Sequence, residues 1–349
     1  MSAAPPRPSP TNPAKLWLRV FFAGFVVISA LLVVTLLTPA PYGDLSRIGR
    51  VSDHEFGWKI QPPPVIDADL IESPVNQADI LIVGDSFSMT HQWQAALVHA
   101  GYRVTTTYWA TYSEALCGDV DAWLAQAGFH GKLIIFQSVE RLLDERMQKS
   151  EACVNGQMSR KFTARPDPFI QPFRAVPGFA LNWSARLTSG VITYRNTRRA
   201  KKATSDTLIS RATTVRLVPD GCERFSHRLC DRALFYADDV DNGPLTLKTL
   251  ERFKAFTAAR KSTPHLWMVI PNKTTTYLKP DYSREFVDGF NKLGVGPDLF
   301  ALMREERLKM RDLYFPNDTH LSTHGQVFLG QFMLQEVRKI LPAPTGTPP

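Results

Sequence analysis

The chain has 349 residues, 44% of them hydrophobic and 21% charged, a balance that supports a buried core and excludes a wholly disordered protein. At roughly 150 residues per domain, this length fits two domains or one large α/β domain. The 20 glycines and 26 prolines have no three-residue period, which excludes collagen, and we find no repeat of about 20–50 residues that would indicate a solenoid or a propeller.

The net charge of +8 is concentrated near the N-terminus. Residues 1–50 contain five Arg or Lys residues and one Asp, so they carry +4, half of the total. Basic residues beside an apolar stretch indicate membrane topology and are weak support for nucleic-acid binding. We therefore expect no nucleic-acid partner.

Residues 20–37 form an 18-residue stretch without a charge. At ~1.5 Å per residue, a helix of this length covers about 27 Å, close to the hydrocarbon thickness of a bilayer. Because Lys15 and Arg19 precede the stretch, the positive-inside rule places the N-terminus in the cytoplasm. We predict a disordered cytoplasmic tail at 1–15 and a transmembrane signal-anchor at 16–38. A cleaved signal peptide, whose apolar region usually has about 7–15 residues, and a buried core helix are the alternatives.

The rest of the chain is then expected in the periplasm of a bacterium, held to the inner membrane by one span. The four cysteines fit this compartment, because an even number outside the cytoplasm favours disulfides. Cys222 and Cys230 enclose a short loop and are the predicted pair, which leaves Cys117 to pair with Cys153. Zinc is disfavoured because no Cys-x2-Cys motif is present, and no metal is expected.

Residues 39–77 are proline-rich and are predicted to form a stalk. Short apolar or β-branched runs then alternate with helical patterns through residues 78–149, which favours a doubly wound parallel sheet. The strands are predicted at 78–83, 103–108 and 132–136, and the helices at 91–100, 119–127 and 140–149.

Residues 150–243 interrupt this alternation and are predicted to be an irregular insertion or cap. Five Arg or Lys residues between 195 and 202 would suit an anionic polysaccharide or lipid headgroups, or form an ordinary solvated surface. The alternation returns in residues 244–342, and residues 343–349 are predicted to be a disordered tail. In this second half, helices are expected at 245–260, 282–293 and 324–340, and a strand at 265–270.

Two short motifs carry the chemistry. Ser86 follows the first predicted strand, where a parallel sheet presents its loops to a ligand. A serine hydroxyl needs a base to act as a nucleophile, and Asp318 and His320, two residues apart before the last helix, supply a carboxylate and an imidazole. We predict a catalytic triad of Ser86, His320 and Asp318. The alternative is a helix-capping serine and ordinary polar loop residues.

The sequence VGDSFS at 83–88, combined with DTHLSTHG at 318–325, resembles the SGNH/GDSL hydrolase superfamily. The N-terminal anchor and the D-T-H spacing resemble one branch, the AlgJ/AlgX-like O-acetyltransferases of bacterial exopolysaccharides. The segments SVERL at 138–142 and IPNK at 270–273 are similar to the V-E-R and P-x-K segments of that branch. The resemblance covers about residues 78–145 and 245–340. It implies an SGNH-type α/β/α sandwich.

The resemblance also implies a function. The chain would be an O-acyltransferase, with acetyl as the expected group, that forms an acyl-serine on the triad. Its acceptor would be an alginate-like polysaccharide, its acyl donor would come through a multi-span membrane acyltransferase, and it would need no cofactor. A carbohydrate esterase or deacetylase with the same triad is the alternative, and a non-catalytic assembly factor of a polysaccharide acetylation machinery is the second.

Five further residues are candidates for the site. Many superfamily members have a G-x-N-D segment whose Asn serves the oxyanion hole, but residues 137–140 here read QSVE. The oxyanion is therefore expected to bind the Ser86 amide and a second donor, for which the candidates are Tyr108, Gln137 and Arg141. Glu140 and Lys273, in the V-E-R and P-x-K segments, are candidate substrate-binding residues. Each could equally be an ordinary polar residue at the end of a strand.

Overall fold

The computed structural model describes residues 12–260 and 262–344, so most of the tails predicted at 1–15 and 343–349 lies outside the described residues. The α-helices are α1 (Pro13–Leu36), α2 (Asp44–Gly49), α3 (Asp53–Phe56), α4 (Ala95–His99), α5 (Val120–Gln126), α6 (Glu140–Ala152), α7 (Leu187–Lys201), α8 (Gly221–Arg224), α9 (Asp238–Asp241), α10 (Leu247–Ala258), α11 (Lys273–Tyr277), α12 (Arg284–Leu293), α13 (Leu299–Glu306) and α14 (Thr323–Ile340). The strands are β1 (Ile80–Gly84), β2 (Val104–Tyr108), β3 (Leu133–Val139), β4 (Thr207–Leu208), β5 (Thr213–Leu217), β6 (Arg232–Tyr236) and β7 (His265–Ile270).

Four strands form a parallel sheet in the order β2-β1-β3-β7, so the chain has a mixed α/β fold, as predicted. Every residue of β1 and β3 is buried, which explains why these strands are continuous apolar runs. Strand β3 continues to Val139, three residues past the predicted end at Phe136. The extension contains Gln137 and Ser138, which are fully buried polar residues that form hydrogen bonds inside the protein.

A hydrophobic core lies on each face of the parallel sheet, because successive side chains of a strand point to opposite faces. Ile80 and Ile82 belong to one core, which α4, α13 and α14 cover. Leu81 and Val83 belong to the other, which α5, α6, α10 and α12 cover. This arrangement aligns the carboxyl ends of the strands along one edge, where the loops that follow β1, β3 and β7 come together.

Helix α1 is 24 residues long, and the rest of the protein buries none of its side chains. Its most apolar window has a mean hydropathy of 2.4, so by length and composition it can cross a membrane. It begins at Pro13, before the predicted boundary at 16, because the Asn12 side chain caps its first turn.

Residues 39–77 differ from the stalk that their prolines predict. Leu45, Phe56 and Trp58 are fully or almost fully buried. Leu45 and Phe56 share a third hydrophobic cluster with Val215 and Leu234 of the antiparallel strands. Helices α2 and α3 therefore belong to the folded domain, and the chain leaves α1 directly into it.

The insertion at 150–243 is more regular than predicted. It contains α7, the two short helices α8 and α9, and an antiparallel sheet in the order β4-β5-β6. Both predicted disulfides are present, Cys117–Cys153 and Cys222–Cys230. The first ties the loop before α5 to the end of α6, and the second closes the loop that leads into β6.

Candidate active site

The turn after β1 holds Ser86 at the edge of the sheet. A side chain on Gly84 would meet Ser88 Oγ at 2.5 Å, so only glycine fits this close approach. The Asp85 carboxylate accepts hydrogen bonds from the Phe87 amide (3.0 Å) and the Val139 amide (2.7 Å). These bonds fix the 3₁₀ turn at 86–88 that presents the partly exposed Ser86 hydroxyl.

A buried ion pair between Arg146 and Asp85 holds this turn in place. Arg146 of α6 donates to Asp85 Oδ2 at 2.9 Å and to Ser138 Oγ at 2.7 Å, and it also pairs with Glu114. Burial alone would raise the pKa of Asp85, but the Arg146 charge and the amide donors hold that pKa below its usual value. Asp85 therefore stays ionised as a structural anchor, a role that sequence reasoning missed although the residue directly precedes Ser86.

The three predicted triad residues meet in hydrogen-bonding order. His320 Nε2 lies 2.7 Å from Ser86 Oγ, and His320 Nδ1 lies 2.6 Å from Asp318 Oδ1. Asp318 Oδ1 also accepts the His320 backbone N–H at 3.0 Å, which holds the imidazole ring over its carboxylate. The loop before α14 thus aligns one ring nitrogen with the serine and the other with the acid, the arrangement that serine activation requires.

The electrostatics of the loop favour a protonated imidazole. Burial would lower the pKa of His320, but the neighbouring Asp318 charge and hydrogen bond, with a further contribution from Asp44, raise it above the usual value. Burial likewise opposes ionisation of Asp318, yet the His320 contact lowers the Asp318 pKa below its usual range. The pair would therefore stabilise an imidazolium if the serine gave its proton to His320.

A second acidic residue, Asp44, lies beside the triad. Its Oδ2 is 3.7 Å from His320 Nδ1, and its backbone N–H donates to Asp318 Oδ2 at 2.8 Å. It also accepts from the Thr319 amide (2.9 Å) and hydroxyl (2.7 Å). Burial, followed by the Asp318 charge, raises the pKa of Asp44 to about 6. Sequence reasoning missed Asp44 because it lies in the segment interpreted as a stalk, far from the D-T-H motif along the chain.

The atoms of Asp44, Asp318 and His320 also form a group with metal-binding donor types, all within 4.8 Å of one another. Each of these donors already has a partner in the protein. His320 Nδ1 shares its proton with Asp318, and both acids accept backbone amides. A metal ion at this point would have to replace the bond that aligns the imidazole, so the hydrogen-bonded triad accounts for the cluster.

The candidate oxyanion donors differ in their surroundings. The Ser86 amide donates to no acceptor within 12–260 and 262–344, so it is available to a ligand. Gln137 is committed to the turn, since its amide group exchanges two hydrogen bonds with Asp85. The Tyr108 hydroxyl is buried against His91 Nε2 at 3.2 Å.

Arg141, the remaining candidate, lies at the rim of the triad. Its guanidinium pairs with Asp239 at 3.3 Å and lies over the Tyr236 ring, 5.2 Å from the centroid. Its positive charge is close enough to lower the pKa of His320, against the stronger raising effect of Asp318. Of the predicted side-chain donors, Arg141 is the one that the electrostatics connect to the triad.

Lys273 and Glu140, the candidate substrate-binding residues, are both almost fully buried. Lys273 is buried, and its ammonium donates to four backbone carbonyls at 2.6–3.2 Å. These carbonyls belong to Leu234, Phe315, Pro316 and Asp318. Burial lowers the pKa of Lys273 to about 7. Lys273 therefore holds the triad loop in place.

Glu140 belongs to a second buried network. It accepts from the Asn272 amide at 2.8 Å and from the Ser283 hydroxyl, and burial raises its pKa to about 6. Asn272 in turn accepts from the Arg141 amide at 3.3 Å. Glu140 thus joins the ends of β3 and β7 and supports the backbone next to Arg141.

Comparisons of the chain with protein-family models, with curated proteins and with solved structures find no match. The function is therefore inferred from the site itself. The distinguishing features of the site are the aligned Ser86, His320 and Asp318, the unpaired Ser86 amide and the short chain connection from α1 to Asp44.

Proposed function

We propose that the chain is a membrane-anchored serine O-acyltransferase of the SGNH/GDSL type, related to the AlgJ/AlgX-like branch, that transfers an acetyl group to a polysaccharide outside the cytoplasm. The observation that carries the proposal is the 2.7 Å contact between Ser86 Oγ and His320 Nε2, with Asp318 on the other ring nitrogen. This is the geometry of an activated nucleophile.

In the first half-reaction, Ser86 Oγ attacks the carbonyl carbon of the acyl donor while His320 Nε2 takes the hydroxyl proton. The oxyanion accepts the unpaired Ser86 N–H, with Arg141 as the second donor. When the tetrahedral intermediate collapses, the bond to the leaving group breaks and the leaving group takes the proton from His320. An acyl-serine remains.

In the second half-reaction, a sugar hydroxyl gives its proton to His320 and attacks the acyl carbon. Collapse returns the proton to Ser86 Oγ and releases the ester. Asp318 stabilises the imidazolium in both halves, which agrees with the raised pKa of His320. Every step uses residues of this chain.

The position of the site relative to α1 favours transfer over hydrolysis. Seven residues separate Leu36, the end of α1, from Asp44, which contacts the triad. At about 3.5 Å per residue, they allow at most about 28 Å between the two. With α1 in a bilayer, the serine would lie close to the membrane surface, within reach of an acyl donor delivered by a multi-span membrane acyltransferase. The two disulfides suit a compartment outside the cytoplasm.

A carbohydrate esterase with the same residues is the second candidate. It is favoured by the exposure of the base, since 23% of the His320 side chain remains accessible to solvent. Water could then accept the acyl group in place of a sugar.

The test uses the full chain in lipid nanodiscs, mixed with an activated acetyl ester. Intact mass follows the acetyl-enzyme, and released acetate and acetylated oligosaccharide are measured with and without an acceptor. A transferase gives an acetyl-enzyme that persists until a sugar is added. Rapid acetate release that no sugar suppresses would identify an esterase. An acetyl adduct that forms equally on Ser86→Ala would contradict both.

A further inference from the structure

An exposed apolar surface lies beside the end of α1. We call it the interfacial patch, and it consists of Phe179, Leu181, Trp183, Leu187, Val191 and Tyr194. Phe179 is 82% exposed, Trp183 78% and Tyr194 66%, which is unusual for side chains of this size. Large apolar patches of this kind mark sites that contact a partner or a membrane.

The interfacial patch is connected to the last turn of α1. The Asn182 amide donates to the Leu36 carbonyl at 2.9 Å. Gly190 of α7 approaches so closely that a side chain there would meet Thr38 Oγ1 at 2.7 Å. The patch therefore lies level with the end of the membrane-spanning candidate helix, where a bilayer around α1 would have its headgroup region.

Helix α7 changes from apolar to basic as it leaves α1. Leu187, Val191 and Tyr194 are spaced four and three residues apart, so they share one exposed face. The following turns carry four exposed basic residues without an ion pair in the described part of the chain. They are Arg195, Arg198, Arg199 and Lys202, and together with Tyr194 they line a groove of about 560 Å³.

We propose that the interfacial patch inserts into the headgroup region of the leaflet from which α1 emerges, and that the basic turns of α7 bind anionic phospholipid headgroups. Two observations select a lipid surface as the partner: the patch continues from the end of α1, and positive charge adjoins its apolar face, as in helices that lie in a membrane interface. Aromatic side chains such as Phe179 and Trp183 suit this depth. The proposal rests on α1 being inserted, as the proposed function requires.

The test places one nitroxide label at a time on the full chain in nanodiscs that contain phosphatidylcholine and phosphatidylglycerol. All four native cysteines form disulfides, so a label attaches only to an introduced cysteine. The test variants are Phe179→Cys and Trp183→Cys, and each label is probed with oxygen, which partitions into lipid, and with a water-soluble nickel chelate.

Two control positions separate the proposal from its premise. Phe25→Cys reports the middle of α1, where the side chain is 68% exposed to its surroundings. Ile340→Cys reports the opposite edge of the sheet, because the neighbouring Leu341 carbonyl accepts from Tyr102, just before β2. The nickel accessibility of the labels at 179 and 183 is expected to lie between the low value at 25 and the high value at 340. Nickel accessibility equal to that at 340, with 25 shielded, would overturn the interfacial patch alone. An accessible label at 25 would remove the membrane anchor as well.

The anionic component is tested with a label at Tyr194→Cys, next to the basic turns. Adding phosphatidylglycerol to discs of pure phosphatidylcholine should reduce its nickel accessibility, and combining Tyr194→Cys with Arg198→Ser and Arg199→Ser should abolish that change. A response that is the same with and without the two arginines would show that they do not bind the headgroups.

Discussion

Asp44 Oδ2 lies 3.7 Å from His320 Nδ1, although Asp44 belongs to the segment directly after α1 and His320 to the loop before α14. The Asp44 amide and carboxylate both contact that loop, through Asp318 and Thr319. The segment that leaves α1 therefore forms part of the environment of the predicted catalytic base.

Removing the Asp44 charge should shift the pH dependence of acylation. Because Asp44 contributes to raising the pKa of His320, Asp44→Asn should lower that pKa and move the acid limb of kcat/KM to lower pH. The profile is measured with an activated acetyl ester on the full chain. Asp281→Asn, at an exposed surface position, is the matched control. An acid limb at the same pH in Asp44→Asn and the control would contradict the role of Asp44.

Asp318→Asn should leave the fold intact but remove the charge that orients and stabilises the imidazole. By analogy with the same change in serine protease triads, we expect the acylation rate to fall by about 10⁴-fold. Acetyl-enzyme formation followed by rapid-quench mass spectrometry gives the rate, and thermal unfolding verifies the fold. A loss smaller than about tenfold, at unchanged stability, would argue against a catalytic triad.

Arg146→Met should destabilise the protein strongly, because it leaves the buried Asp85 carboxylate without its partner. Breaking a buried pair from one side costs about 3–5 kcal/mol in the free energy of unfolding. Lys149→Met, on the same helix, removes a pair with Glu145 in which both side chains are nearly half exposed, and should cost at most about 0.5 kcal/mol. Chemical denaturation measures both, and equal losses would refute the anchoring role of Arg146.

His227 should make the protein sensitive to acid. Burial lowers the pKa of His227 to about 3, from 6.5 for a free histidine. Between pH 3 and pH 6.5, the unfolded chain binds a proton at His227 that the folded protein does not bind. The contribution of His227 to the free energy of unfolding is therefore fully present above pH 6.5 and is lost as the pH falls toward 3. His227→Gln should therefore lose less free energy of unfolding between pH 7 and pH 5 than the native protein, as measured by urea titration. His130→Gln, at an exposed histidine, should behave like the native protein. If His227→Gln also followed the native pH dependence, the buried histidine would not be the cause.

The sequence was informative where the chemistry is local. Strand β7 has the predicted bounds at 265–270, because a short apolar run between breakers leaves little choice of structure. Ser86 and His320 could be selected because each lies at a fixed offset from the start or end of a regular element. Asp318 followed from its position two residues before the histidine.

Tertiary contacts account for what the sequence did not reveal. Prolines around Leu45 and Trp58 suggested a linker, yet these apolar side chains find partners far away in the chain. Lys273 was a candidate ligand-binding residue. Its burial against four carbonyls could not be predicted from the sequence, because it depends on where the loop at 315–318 folds back. Asp44 had no signal at all, since neither residue type nor spacing connects it to the triad.

Under the proposed function, the seven residues between Leu36 and Asp44 would also limit where the serine can act. A triad whose neighbour Asp44 is held within about 28 Å of the end of α1 cannot follow a polymer into the surrounding space. In an enzyme anchored by α1, only the part of a glycan that is still emerging from the bilayer would come within reach. The pattern of ester groups along the finished polymer would then record the speed of its export.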